Sequence, residues 1–391
     1  MKKIKINRKL LFLIVFSKIF IFTTIFIAFF YLPFNKEGFF GNFHYPIDEK
    51  ISLVSSFKTW DSQHYLYLSE KGYSQSIASN RFFPLYPFSI KLVSLVVGNK
   101  VFAGLLASFI FSILGLVFFY RFCKKYFKNE NTAFRAILLL LSFPTAFYIS
   151  LIYSEGACFF LTMGFFYFLY KKDFLKASIF AFFLPLVRPV GIFIVIPHAV
   201  FWISYLYKKE KRFSVDFIKK VVFNKETYLV LSSFLGLGLY FLIMQLTTQS
   251  YLSGISALQE SVVGNWQIAN IFNPVFFFVN LFFPDSPTLH GFTNSIIDRG
   301  VFMGFLFSLY LIYKKLDKTL FSYALMLGMV PVFGNFMSYT RYVLLVFPIF
   351  MVFVLYFEKP RLKLLFYPTV IFLIIVQAVF LIMHSLNYWV S

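Results

Sequence analysis

Acidic residues are scarce in this 391-residue chain: 16 aspartates and glutamates stand against 37 lysines and arginines, and charged residues make up only 14% of it. Average soluble chains carry about 25%. Cysteine occurs twice, at Cys123 and Cys158, beside or inside apolar runs and without metal-ligand spacing. That excludes a disulfide scaffold and a zinc module. No glycine-rich phosphate loop is present, which removes any reason to expect a nucleotide-binding α/β domain. What fills the chain instead is apolar: 59% is hydrophobic and 61 residues are phenylalanine. A water-soluble fold has nowhere to bury that many rings, and a disordered chain would not carry them. The composition therefore specifies an all-α integral membrane protein, a single polytopic domain over 1–391.

The net charge of +21 would suggest nucleic acid in a soluble chain. Here the basic residues sit in short clusters between apolar runs: Lys2 to Lys9, Arg121 to Lys128, Lys171 to Lys176, Lys208 to Lys225, Lys314 to Lys318 and Lys359 to Lys363. The positive-inside rule accounts for them, and no nucleic-acid partner is expected. The N-terminal run from Leu10 to about Pro33 is too long for a signal-peptide core and lacks a small-residue cleavage site, so it reads as an uncleaved first span. Further apolar runs lie near 101–121, 134–150, 153–170, 177–187, 190–206, 226–247, 299–314, 319–336, 341–357 and 364–386, which gives about eleven transmembrane helices. With the N-terminus in the cytoplasm, every basic cluster falls on the cytoplasmic side. The parity holds only if 84–98 does not span; Lys91 interrupts it, and it reads as an interfacial helix. Two long segments, 34–100 and 248–298, then face outward. The second holds Trp266, Pro274, Pro284 and Pro287. Long loops in compact architectures are usually functional, so chemistry is expected on that face.

The first outer segment reads Trp60-Asp61-Ser62-Gln63-His64-Tyr65, an aspartate among aromatics next to a membrane helix. Partial desolvation would raise its pKa and make it a better general base. The alternative is that Asp61 merely caps the helix that follows. His64 shares a helical face with Asp61 and would orient the carboxylate or bind a phosphate oxygen, or serve only as an interfacial hydrogen-bonder. Arg81 precedes the proline-stiffened run Phe82-Phe83-Pro84-Leu85-Tyr86-Pro87, which otherwise reads as an aromatic belt anchor with a snorkelling arginine. Ser154 and Glu155 look like a helix cap and a first-turn acid; functionally, Glu155 would contact acceptor or a second cation beside Asp61. Arg188 lies at the apex of a hairpin whose first limb is too short to span. An arginine at membrane depth costs about 2.5–3.5 kcal/mol on insertion scales and calls for an anionic partner, a phosphate or Glu155 among them. Arg341, followed by Tyr342, opens another outward-facing helix. Two arginines aimed at one cavity suit a lipid phosphate. Lys18, midway along the first span, has no assignment.

Taken in order, WD..HYL....GY, FFPLYP, YSE, RP.G and RY.....P resemble the PIG-V-type mannosyltransferases of the GT-C superfamily, from Trp60 to Pro348. The resemblance implies a GT-C-like membrane fold and transfer of a sugar, mannose first among them, from a polyprenyl-phosphate donor to a lipid, glycan or protein acceptor. It makes Asp61 the catalytic residue and places Trp60, His64, Tyr65, Arg81, Tyr86, Glu155, Arg188, Arg341 and Tyr342 at substrate and donor. It implies no cofactor and no metal, with a divalent cation near Asp61 and Glu155 as the alternative. The Phe, Ile, Lys and Asn bias and the lack of Asn-X-Ser/Thr sites point to the plasma membrane of a bacterium or archaeon, or to the endoplasmic reticulum if the source is eukaryotic. The rival reading is a transporter or lipid flippase with Arg188 and Lys18 on its path; it predicts repeated halves, and none is visible. A non-catalytic membrane subunit is a third.

Overall fold

The computed structural model describes residues 7–211, 213–260, 273–284, 286–333 and 336–390. Trp266 and the basic residues Lys2, Lys3 and Lys5 lie outside them. The described residues are helical, with no strand among them beyond an isolated bridge between Thr288 and Ser295. Among the described residues five helices are long and apolar enough to cross a membrane: Arg8–Tyr31, Lys100–Phe127, Pro189–Glu210, Ile296–Lys315 and Lys363–Ser385.

The other six expected spans are shorter or broken, for local reasons. The 134–150 run stops helical winding at Phe143 because Pro144 follows it, and resumes as a single turn, Ala146–Ile149. The 341–357 run divides into Tyr339–Leu344 and Pro348–Phe357, with Pro348 at the second start. The 226–247 run divides at Leu231. The 153–170 run is the Glu155–Leu169 helix; 177–187 and 319–336 form Phe174–Leu186 and Lys318–Phe333. Residues 84–98 form the Leu85–Val97 helix, whose 13 residues rise only about 20 Å. It buries Tyr86 and Ile90 and exposes Leu92, Leu95 and Val96.

The first helix shows how the bundle meets lipid. Leu10, Ile14, Lys18, Ile21, Ile25 and Ala28 follow helical spacing and are buried, whereas Leu11, Phe12, Val15, Phe16 and Ile19 are exposed on the opposite stripe. Inside, Lys100–Phe127 packs along Glu155–Leu169. Gly104 and Gly115 permit the approach: a Cβ on Gly115 would stand 2.7 Å from the Phe159 ring. Phe347 closes the core against Phe119, Phe122, Phe166 and Tyr323.

The two ends of the bundle differ. At one end the basic clusters are knitted together: Asn7 donates to Tyr120 at 3.1 Å, Lys124 to Glu130 at 2.5 Å, Lys125 to the Tyr170 carbonyl at 2.7 Å, and Tyr170 to Asp317 at 2.6 Å. Thr132 also bonds Glu358 there. At the other end the chain leaving the first helix meets the end of the last one, with Asn35 N donating to the Leu386 carbonyl at 2.9 Å. The candidate residues gather at this second end.

Candidate active site at one end of the bundle

Asp61 is the first residue of the Asp61–Lys71 helix, which ends at Gly72 in a positive-φ conformation. The residue before it, Trp60, sits at φ 55° and ψ −125°, a region bulky side chains avoid, and makes no capping bond. Asp61 is therefore not a helix cap. Its carboxylate still gains from the helix N-terminus, but it is spent on a distant partner: Arg341 Nη2 donates to Asp61 Oδ2 at 2.8 Å across 280 residues of sequence.

That contact begins a chain of four charges. Arg341 Nε lies 2.5 Å from Glu155 Oε1, and Arg188 Nη1 donates to the same oxygen at 2.8 Å. Side-chain exposure falls from 27% at Asp61 through 10% at Arg341 to 0% at Glu155. The chain thus runs inward from one open end. The planar fork of Arg341 makes the bridge possible, since separate nitrogens reach the two acids. Aromatic faces hold the cations from the side: Arg341 lies over Tyr148 at 5.1 Å and Tyr153 at 5.0 Å, and Arg188 over Tyr342 at 4.9 Å. The anionic partner required by Arg188 is Glu155. Between Asp61 and Glu155, where the sequence leaves room for a divalent cation, stands the Arg341 guanidinium. Among the described residues no three His, Cys, Asp or Glu side chains converge as a metal site.

The electrostatics of Asp61 run opposite to the expectation from burial alone. Burial pulls its pKa upward, but Arg341, Arg81 and the Arg341 hydrogen bond outweigh that and hold the carboxyl below its ordinary value. It is ionised at neutral pH. Among the described residues no hydrogen bond joins His64 to it. The His64 ring is stacked between Phe43 at 4.1 Å and Phe82 at 4.7 Å, with Nδ1 2.8 Å from Ser79 Oγ and Nε2 accepting from Arg81 Nη2 at 3.2 Å. Because arginine only donates, Nε2 is the lone-pair nitrogen and Nδ1 carries the proton toward Ser79. Burial first, and Arg81 second, push the imidazole pKa down to about 3. His64 therefore aims Arg81, whose charge in turn acts on Asp61.

Tyr65 donates to Ser154 Oγ at 2.9 Å and ties the Asp61 helix to the residue before Glu155. Tyr86 is not brought to the open end: its ring is fully buried and its hydroxyl lies 2.6 Å from Ser108 Oγ. Lys18 is likewise remote from the four charges; it donates to Ser112 Oγ at 2.8 Å and to Ser150, over the Phe109 ring. Several supports were not singled out from sequence. His384, in the last helix, lies 3.1 Å from Thr59 Oγ1 and 3.3 Å from the Tyr148 hydroxyl. Tyr153 donates to the Thr59 carbonyl at 3.0 Å. Asp298 Oδ1 accepts from Thr340 N at 2.7 Å and from its hydroxyl at 2.8 Å, fixing the residue before Arg341. His384 is a polar residue inside an apolar run, and that is the signal which finds it; Asp298 closes the second outer segment, where no such signal exists.

No family model matches the chain, and no curated protein matches it. Among solved structures it is similar to the crystal structure of an oligosaccharyltransferase from Archaeoglobus fulgidus in complex with zinc and sulfate, at 13% identity and a TM-score of 0.46. The match covers 86% of this chain and 49% of that one, so the chain spans about half the length of that protein. None of these comparisons singles out the PIG-V-type family.

Proposed function

We propose that the protein is an integral-membrane glycosyltransferase of the GT-C type. It moves a sugar, mannose being the first candidate, from a polyprenyl-phosphate donor to an acceptor hydroxyl with inversion. The observation that carries this reading is the Asp61–Arg341 pair: a partly open carboxylate and a guanidinium 2.8 Å apart at one end of a helical bundle. Around it, three arginines (Arg81, Arg188 and Arg341) face two carboxylates, which leaves one positive charge to meet an anion.

In this mechanism the acceptor oxygen forms its bond to the anomeric carbon while the carbon–oxygen bond to the lipid phosphate breaks. The electron pair leaves with the phosphate, and the acceptor proton goes to Asp61. Arg341 couples the two events. When it turns toward the charge developing on the leaving phosphate, its hold on Asp61 weakens, and the carboxylate becomes a stronger base as the proton arrives. Purified protein in lipid, supplied with polyprenyl-phosphate mannose and then with other lipid-phosphate sugars, should transfer sugar to a membrane extract. Absence of transfer from every donor would overturn the proposal.

A further inference from the structure

At Trp60, the residue before Asp61, three rings from distant segments meet. Phe292 packs on Trp389 at 4.1 Å between centres, and Trp60 stands edge-on to both, 5.1 Å from Trp389 and 6.1 Å from Phe292. Phe292 is 43% exposed and both tryptophans are partly so. The same two stretches, 60–63 and 387–389, concentrate unsatisfied polar atoms. Trp60 Nε1, Ser62 Oγ, Gln63 Nε2, Asn387 Nδ2 and Trp389 Nε1 are buried and have no hydrogen-bond partner among the described residues. Ser62, Gln63 and Asn387 are at least 98% buried. A buried donor left unpaired costs about 1–3 kcal/mol, so the two unpaired indole N–H groups within the cluster, Trp60 and Trp389, are a feature in want of a ligand.

The ligand they fit has flat apolar faces and many hydroxyl oxygens on its edges. A pyranose ring has both: its C–H face lies on an aromatic ring and its hydroxyls accept from indole and amide donors. A hydrocarbon tail would leave the donors unpaired, and a phosphate has no flat apolar face to lay on the rings. We infer that the Trp60–Phe292–Trp389 cluster is the acceptor subsite, and that the acceptor is a glycan that presents a hydroxyl to Asp61. Donor and acceptor then meet at Asp61, the donor through its partner Arg341 and the acceptor through the rings at Trp60. The inference rests on the glycosyltransferase reading for the word acceptor; the glycan site itself does not need it.

The test is therefore a binding measurement without donor. Full-length protein in lipid nanodiscs is titrated with disaccharides of mannose, glucose, galactose and N-acetylglucosamine, read by calorimetry and tryptophan fluorescence. At least one should bind with a Kd on the order of 1 mM. Trp389→Leu should weaken it at least about tenfold, and Trp389→Phe, which keeps a ring and loses the donor, by a smaller factor. Unchanged thermal melting of Trp389→Phe guards against misfolding. If no disaccharide binds the wild-type protein, or if binding is the same in Trp389→Leu, the inference is wrong. A failure of transfer with every lipid donor would count against the enzyme reading alone and leave the binding result standing.

Discussion

Glu155→Gln probes the buried half of the charge chain. Glu155 Oε1 serves Arg341 at 2.5 Å and Arg188 at 2.8 Å while fully shielded from solvent. At an effective dielectric of about 20, a unit pair at about 4 Å is worth about 4 kcal/mol, so one oxygen takes part in two interactions of that size, set against the desolvation of three groups. Removing one partner of a buried pair typically costs about 3–5 kcal/mol, because the remaining charge stays buried and unpaired. Glutamine keeps the shape and can still accept one bond, but Arg188 then has no carboxylate near it, whereas Arg341 retains Asp61. The expected loss is about 3–5 kcal/mol in reversible unfolding from mixed micelles. Adding Arg188→Met should restore part of it, since the stranded cation is removed with its partner. Glu155→Gln within about 0.5 kcal/mol of wild type, or a double variant with the plain sum of the single losses, would refute the buried-chain account.

Two further outcomes follow from the same geometry. Asp61 is held below its ordinary pKa by Arg341 and Arg81 against the opposing pull of burial, so the pair stabilises the fold above the unfolded carboxylate value of about 3.9 and is lost as pH falls through the folded one. The acid limb of kcat/KM should lie at or below the usual carboxylate range and move upward in Arg341→Gln; a pH–rate series checks this, and no movement would exclude the pairing as its cause. Lys18→Met should change thermal stability by no more than about 1 kcal/mol and leave transfer intact, because removing a buried amine offsets the partner lost by the Ser150 hydroxyl, and Ser112 retains its bond to the Phe109 carbonyl at 3.0 Å. Lost transfer in a fully stable Lys18→Met protein would give that amine a functional role.

The amount legible in the sequence differed by type of question. Hydropathy located the apolar runs, but counting apolar letters does not register a break, so Pro144 and Pro348 shortened helices that composition alone made continuous. The partner of Arg188 was within reach, because a cation at membrane depth needs an anion and Glu155 was among the candidates. The partner of Asp61 was not: Arg341 is 280 residues away, and no periodicity joins them. The direction of the Asp61 pKa was misjudged for that reason, since burial can be read from neighbours in sequence and charge pairing cannot. Helical spacing leaves His64 open to the carboxylate, a phosphate oxygen or an interfacial hydrogen bond; in the fold its ring is held by Phe43, Phe82, Ser79 and Arg81. Trp389 lies beyond the last apolar run, 364–386, and only the packing of the chain brings it to Trp60.

The central claim is that Asp61 takes the acceptor proton, and Asp61→Asn tests it most directly. The amide keeps the size of the side chain and can still accept from Arg341, so membrane insertion and melting should stay close to wild type. Sugar transfer from the lipid-phosphate donor that supports wild-type turnover should fall by about 10²–10⁴, the usual contribution of a general base. Wild-type turnover in a correctly inserted Asp61→Asn protein would contradict the account.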